Sequence, residues 1–247
     1  MTGQEWLNNH LKTLLTRCDR TGYPAPGRFL TGEECVLAVK AAKSAGLACT
    51  LDGGWPGAER KQVCIHQAGD EPEFTYEWLH VTWNARFASA EHRSLLGSLM
   101  GLGLDRSCFG DLVCREADAY LCVMPEISQH VIDSWTQAGH TDIRVSRCEE
   151  PPVLEAPKGK EKRDTVPSLR MDAVLSAAVG CSRAQAAEKI RAGCVQLNHV
   201  PEERCDRILQ EGDLLSIRHE GRARLVSVGD KTRKDRLPIV LELFLHG

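Results

Sequence analysis

The sequence predicts an α+β protein built in two parts. Three observations carry this. Helix-spaced and alternating apolar segments are interleaved along all 247 residues, a proline-rich charged stretch interrupts them near residue 157, and the net charge changes sign across that stretch. Residues 1–157 hold 14 Lys and Arg against 21 Asp and Glu, and residues 158–247 hold 17 against 13. A formal charge of −3 thus divides into −7 and +4, which points the C-terminal part toward a polyanion. The join, Glu149-Glu-Pro-Pro-Val-Leu-Glu-Ala-Pro-Lys158, reads as an extended, exposed connector, and Lys158-Gly-Lys-Glu-Lys-Arg163 follows as a short basic run. The expected domains are 1–157 and 158–247.

With 42% hydrophobic and 26% charged residues, wholesale disorder is excluded, and no run approaches the roughly 18 apolar residues of a membrane span. The first ten residues lack the basic start and apolar stretch of a secretory signal, so a soluble chain that stays where it was made is expected. Eleven cysteines without any Cys-x-x-Cys pair, mostly in apolar surroundings such as Val63-Cys64-Ile65, read as small core residues of a reducing cytoplasm. Cys64 and His66 share a spacing that suits a metal, but no second pair completes a site, so none is expected.

Residues 5–17 place Trp6, Leu7, Leu11, Leu14 and Leu15 at helical spacing, and the run Gly22-Tyr-Pro-Ala-Pro-Gly27 breaks the helix. Thr31-Gly-Glu-Glu34 is a capping box that opens a second helix, stopped at Gly46. Residues 47–51 and 62–66 predict strands around a glycine-rich loop, 76–83 a third, and 111–115 with 120–124 a hairpin. Helices are expected over 91–102 and from Pro125, whose apolar positions include Ile127, Val131, Ile132 and Trp135. The N-terminal half is therefore a sandwich with helices on one sheet face.

Two segments stand out in this half. The loop with Gly53, Gly54, Trp55 and Gly57 ends in Glu59-Arg60-Lys61, where glycines admit a close ligand and cations meet phosphate; a tight strand connection over one packed aromatic is the alternative. Gly97, Gly101 and Gly103 imitate a dinucleotide fingerprint but lie in or at the end of a helix, so close helix–sheet packing is the expected reason. Asp52, Glu59, His66, His92 and Asp111 form no nucleophile–base motif, Walker loop or metal cluster.

In the C-terminal part Met171, Val174, Leu175 and Ala178 give one helix a buried face, ended by Gly180. Ser182 and Gln185 form the capping box of a second helix, with Ala184, Ala187 and Ile190 inward and Gly193 at its end. Such a short turn makes an αα-hairpin. Val195 and Leu197 begin a strand that turns at Asn198-His199, and strands follow over 214–218, 223–228 and 237–244. Arg183 is the most informative residue. It sits in a first helical turn, where the macrodipole disfavours a cation by about 0.3–1 kcal/mol, and in phase with the buried stripe. A phosphate beside that helix start would relieve the conflict; an arginine curling back to water is the alternative. Arg170, Arg191 and the loop cations Lys231, Arg233, Lys234 and Arg236 complete a basic rim that suits an RNA backbone better than base reading, with non-sequence-specific duplex DNA binding as the physical competitor.

Leu169-Arg-Met-Asp172, Ser182-Arg183-x-x-Ala186, Ile190, Gly193-x-Val195-x-Leu-Asn198 and Gly212-Asp213 resemble the RNA-binding domain named after ribosomal protein S-four. The N-terminal part is similar to the YlmH family through Asp52-Gly-Gly-Trp-x-x-Ala-Glu-Arg60, Leu96-Gly-x-Leu-Met-Gly-Leu-Gly103 and Gly110-Asp111. Departures are His199 where glycine is common, Lys189 where relatives often carry leucine, and Trp55 in place of a frequent tyrosine.

The resemblance implies a plait-like (RRM-like) N-terminal α/β sandwich followed by the S-four αα-hairpin and sheet. It also implies a non-catalytic, cytoplasmic factor of bacterial ribosome-associated quality control. Its partners would be the large ribosomal subunit and its rRNA, a tRNA or peptidyl-tRNA near the P site, and the factor that tails stalled chains. A cell-division link also attaches to the family. No cofactor, metal or membrane is implied, and a monomer is expected. The expected RNA contacts are Arg170, Ser182, Arg183, Gln185, Lys189, Arg191, Asn198, Arg222, Lys231, Arg233, Lys234 and Arg236, with a second N-terminal set at Trp55, Arg60, Lys61, Arg93 and Arg106. Two other readings compete: an RNA-modifying enzyme, for which no catalytic module is present, and a septal interaction protein acting through the acidic half.

Overall fold

The computed structural model describes residues 2–84 and 90–245, and the chain divides into two compact units, Met1–Ala156 and Pro157–Gly247. The N-terminal unit opens with α1 (Gly3–Thr21), β1 (Ala25–Leu30), α2 (Gly32–Ser44), β2 (Ala48–Asp52) and β3 (Lys61–His66). Thr2 and Thr31 cap the two helices in reciprocal boxes with Glu5 and Glu34. β3 runs antiparallel between β1 and β2, and Leu7, Leu11 and Leu14 of α1 pack with Ala38 and Ala42 of α2 over Val63 and Ile65.

β1 corrects the sequence reading, which ends at a chain break over residues 22–27. The strand tolerates its proline and glycine because the ladder to β3 shifts register between Pro26 and Phe29. Gly27 is required there, since a Cβ would lie 2.5 Å from Leu14 Cδ1 and 2.7 Å from His10 Nε2. The next amide, that of Arg28, donates to the same His10 nitrogen at 3.1 Å.

The rest of the unit comprises β4 (Glu77–Trp83), α3 (His92–Met100), β5 (Phe109–Cys114), β6 (Asp118–Val123), α4 (Pro125–Ser134), β7 (Gln137–Ala138) and β8 (Thr141–Arg147). These strands form a second sheet in the order β5-β6-β4-β8-β7. The N-terminal half is the expected α/β sandwich, built from two sheets with two cores; Phe29 of β1 enters the second core with Leu79, Leu95, Phe109 and Leu121. β8 is an element the sequence reading passed over, although Thr141, Ile143 and Val145 alternate as buried residues. Close packing against the sheet does not explain Gly97, Gly101 and Gly103. A Cβ at Gly97 would meet nothing within 4 Å, one at Gly101 would meet only its own helix turn, and Gly103 stands at φ 74°.

The C-terminal unit comprises β9 (Lys160–Val166), α5 (Met171–Val179), α6 (Arg183–Arg191), β10 (Val195–Leu197), β11 (Val200–Pro201), β12 (Leu214–Ile217), β13 (Gly221–Val228) and β14 (Leu237–Leu245). The sheet is antiparallel in the order β11-β10-β12-β13-β14-β9, and the helical hairpin lays Met171, Leu175, Ala186 and Ile190 against Leu215, Leu225, Ile239 and Leu241. The basic run beginning at Lys158 is mostly strand, because β9 pairs with β14 from Lys160↔Leu243 to Val166↔Leu237. Its side chains conceal this, since only Val166 of the strand is buried. No described helix is long and apolar enough to cross a membrane.

Candidate nucleic-acid interface

The helical hairpin answers the conflict at Arg183 with a carboxylate. Asp172 lies in the first turn of α5, and its residue is only 6% exposed. Nη2 of Arg183 donates to its two oxygens at 3.0 and 2.9 Å, while Nε and Nη2 of Arg170 donate at 3.2 Å each. Burial opposes ionisation of Asp172, but the hydrogen bonds from Arg170 and Arg183 outweigh it and hold the carboxyl below its ordinary range. The two arginine side chains remain 39% and 49% exposed, so a buried anion orders two solvent-facing guanidinium groups.

Several other expected contacts have local structural employment. Ser182 accepts from the Gln185 amide at 3.2 Å and Gln185 Oε1 accepts from the Ser182 amide at 2.9 Å, so both serve the cap that starts α6. Lys189 pairs with Glu220. Asn198 and His199 occupy positive φ of 51° and 67° in the two-residue turn between β10 and β11, a conformation asparagine accepts more readily than most residues. The Asn198 side chain donates to Asp213 at 2.7 Å and accepts from the Leu214 amide at 2.9 Å, tying that turn to β12. Lys231 meets Asp235 at 2.7 Å, and Arg236 donates to Thr165 Oγ1 at 2.9 Å and to the Thr165 carbonyl. Arg191, Arg233 and Lys234 are exposed. Arg222 lines a separate cleft of about 340 Å³ with Cys194, Arg218 and His219.

The N-terminal candidates gather around another carboxylate. Asp111 accepts from Trp55 Nε1 at 3.0 Å and from the amides of Glu59 and Arg60 at 2.8 and 3.0 Å. The Arg60 guanidinium donates to the carbonyls of Phe109, Phe29 and Arg106 at 2.9 to 3.2 Å, and Arg106 donates to Phe109 and Gly110. Burial, then the neighbouring Arg60 charge, lowers Arg106 to about 10. The loop glycines follow from the same packing. A Cβ at Gly53 would stand 2.3 Å from that of Ala58, and Gly54, at φ 79°, leaves 2.9 Å to Tyr76 and Trp78. Trp55, Arg60 and Arg106 thus lock the loop onto β5, whereas Lys61 starts β3 half-buried and Arg93 is exposed on α3.

The sequence reading did not find a ring stack on the second sheet. His80 and Tyr120 oppose each other across β4 and β6, with ring centroids 4.7 Å apart and planes at 11°, and Arg115 covers Tyr120 at 4.8 Å. His80 also meets Asp118 at 2.8 Å. Only strand register brings these residues together. His66, weighed as a metal ligand beside Cys64, instead contacts Thr50 Oγ1 at 2.8 Å and the Gln67 carbonyl at 2.9 Å. Among the described residues there is no group of three metal-ligating side chains.

An ordered arginine pair on a helical hairpin over an antiparallel sheet presents guanidinium donors that match phosphate oxygens, as an RNA-binding protein requires. The comparisons with known proteins identify the family. A model described as "Putative RNA-binding domain in YlmH" matches residues 70–150, which span the five-stranded sheet. The chain is 33% identical over 218 residues to the ribosome-associated protein quality control protein P2 of Bacillus subtilis, covering 87% of this chain and 85% of the relative. This chain belongs to the YlmH family of RNA-binding proteins. A solved structure, cell division protein ylmH from Streptococcus pneumoniae, matches with a TM-score of 0.49 and 19% identity over 60% of this chain and 93% of that one.

Proposed function

We propose that this protein is a non-catalytic RNA-binding factor of bacterial ribosome-associated quality control, acting in the cytoplasm on the large ribosomal subunit. In this reading the C-terminal unit binds rRNA phosphates, and the protein holds a tRNA or peptidyl-tRNA near the P site and supports tailing of the stalled chain. The observation that carries it is the Asp172 clamp, which fixes two half-exposed guanidinium groups at one point of the surface. Flexible surface lysines attract any polyanion, whereas oriented guanidinium forks match phosphate oxygens in geometry as well as charge. Arg191, Arg233 and Lys234 add exposed cations to the same unit. The name of the Bacillus subtilis relative supports the ribosomal part of the reading.

A tagged pull-down at moderate salt, with sequencing of the bound RNA, tests it. Large-subunit rRNA with enriched tRNA, both lost in a folded Arg183→Ala variant, is the expected result. Recovery of division proteins without ribosomal RNA would overturn it.

A further inference from the structure

We propose that the cleft between β9 and the α5–α6 turn is a phosphate-binding site for the RNA backbone, with Lys162, Arg183 and Arg236 as its cations. The proposal rests on the RNA-binding reading above and extends it to a site and a residue, Lys162, outside the set the sequence suggests.

The inward face of β9 is mostly polar. Lys160, Lys162, Asp164 and Val166 stand opposite Leu243, Leu241, Ile239 and Leu237 of β14, positions that feed the core on the β14 side. A strand serving only the core would carry apolar residues there. Instead Val166 alone is buried, and the strand lines an open cleft of about 360 Å³ with Lys162 and Asp164. Arg183 closes the cleft from the helical side and Arg236 from the loop before β14, so cations from three separate segments converge on it. Asp164 is the one carboxylate among the residues lining it, and one of its oxygens is engaged by the Thr165 amide at 2.7 Å.

The donors are held in place and incompletely used. Lys162 Nζ donates to the carbonyl of Ala177 in the last turn of α5 at 2.5 Å, where the helix dipole favours a cation, and an ammonium has two further protons to offer. Arg236 is fixed by the Thr165 backbone and hydroxyl through Nε and Nη2. Arg183 meets Asp172 through Nη2 alone. Each guanidinium therefore retains donors for a phosphate oxygen.

The test is binding of the full-length protein to purified bacterial large ribosomal subunits across a salt series, for wild type, Lys162→Gln, Arg236→Gln, the double variant and Lys162→Arg. One phosphate contact accounts for a slope of about 0.9 in log K against log salt. The double variant is expected to lower the slope by about one and to weaken binding about 3–10-fold at 0.1 M salt, while Lys162→Arg retains the wild-type slope. A purely structural role for Lys162 changes thermal stability and leaves the slope alone. Unchanged slopes in folded variants, or a cleft that takes free inorganic phosphate while RNA binding ignores both substitutions, would overturn the assignment. Wild-type protein that fails to bind the subunit at all would instead overturn the functional reading on which the proposal rests.

Discussion

Asp172 accepts hydrogen bonds from both Arg170 and Arg183, so the cation that helix electrostatics should exclude from the start of α6 is held there by a carboxylate from α5. Removing Asp172 therefore has a consequence opposite to simple charge counting. Asp172→Asn makes the surface more basic yet releases both guanidinium groups from their fixed geometry. Ribosome affinity is expected to fall despite the added positive charge, with stability lowered by about 1 kcal/mol once the solvent exposure of both arginines is allowed for. A thermal melt and a binding titration of the same variant read both effects.

The same carboxylate sets an acid limit. Its folded-state pKa is depressed, so its contribution to stability is complete above the ordinary carboxylate value and is lost as pH falls through the lower folded value. Urea unfolding followed from pH 7 down to pH 3 is expected to show a loss below about pH 4 that Asp172→Asn lacks. Parallel pH profiles for the two proteins would remove the clamp from the stability account.

Arg60 and Arg183 are predicted to separate. Arg60 gives its guanidinium to three main-chain carbonyls, so Arg60→Met removes three hydrogen bonds from a half-buried site and costs about 2–3 kcal/mol. The folded fraction of that variant should keep its ribosome affinity. Arg183→Ala should do the reverse, with a nearly unchanged melting temperature and weak binding.

Two glycines should respond to the same substitution with opposite sign. Gly97 lies inside α3 with open space around it, so Gly97→Ala is expected to stabilise by about 0.5–1 kcal/mol. Gly53→Ala forces a Cβ to 2.3 Å from Ala58 and 2.6 Å from the Arg60 carbonyl, and should destabilise the N-terminal unit. Melting temperatures of the two variants are sufficient to check this.

The sequence was legible where local physics decides. Capping boxes at Thr31 and Ser182 and the helix stop at Gly180 appear in the structure as they read in the chain. It was opaque where a partner lies far along the chain. β1 reads as a break because its register shift is a property of the pair with β3, and β9 reads only as a basic run because its inward side chains face a cleft. The candidate site shows the same division. Arg183 stood out through its conflict with the helix, but its partner is eleven residues earlier and becomes visible only when α5 and α6 fold back on each other. Trp55, Arg60 and Arg106 carried the residue types of an RNA contact, and the Asp111 and main-chain partners that engage them come from 31 to 56 residues away or from the next turn.

Co-sedimentation of folded Arg183→Ala protein with large ribosomal subunits, beside wild type and at matched salt, tests the central claim most directly. Wild type should pellet with the subunits and lose occupancy as salt rises, while the variant stays in the supernatant with an unchanged melting temperature. Equal occupancy of the two proteins across the salt series would contradict the claim that the arginine pair ordered by Asp172 is how this protein holds RNA.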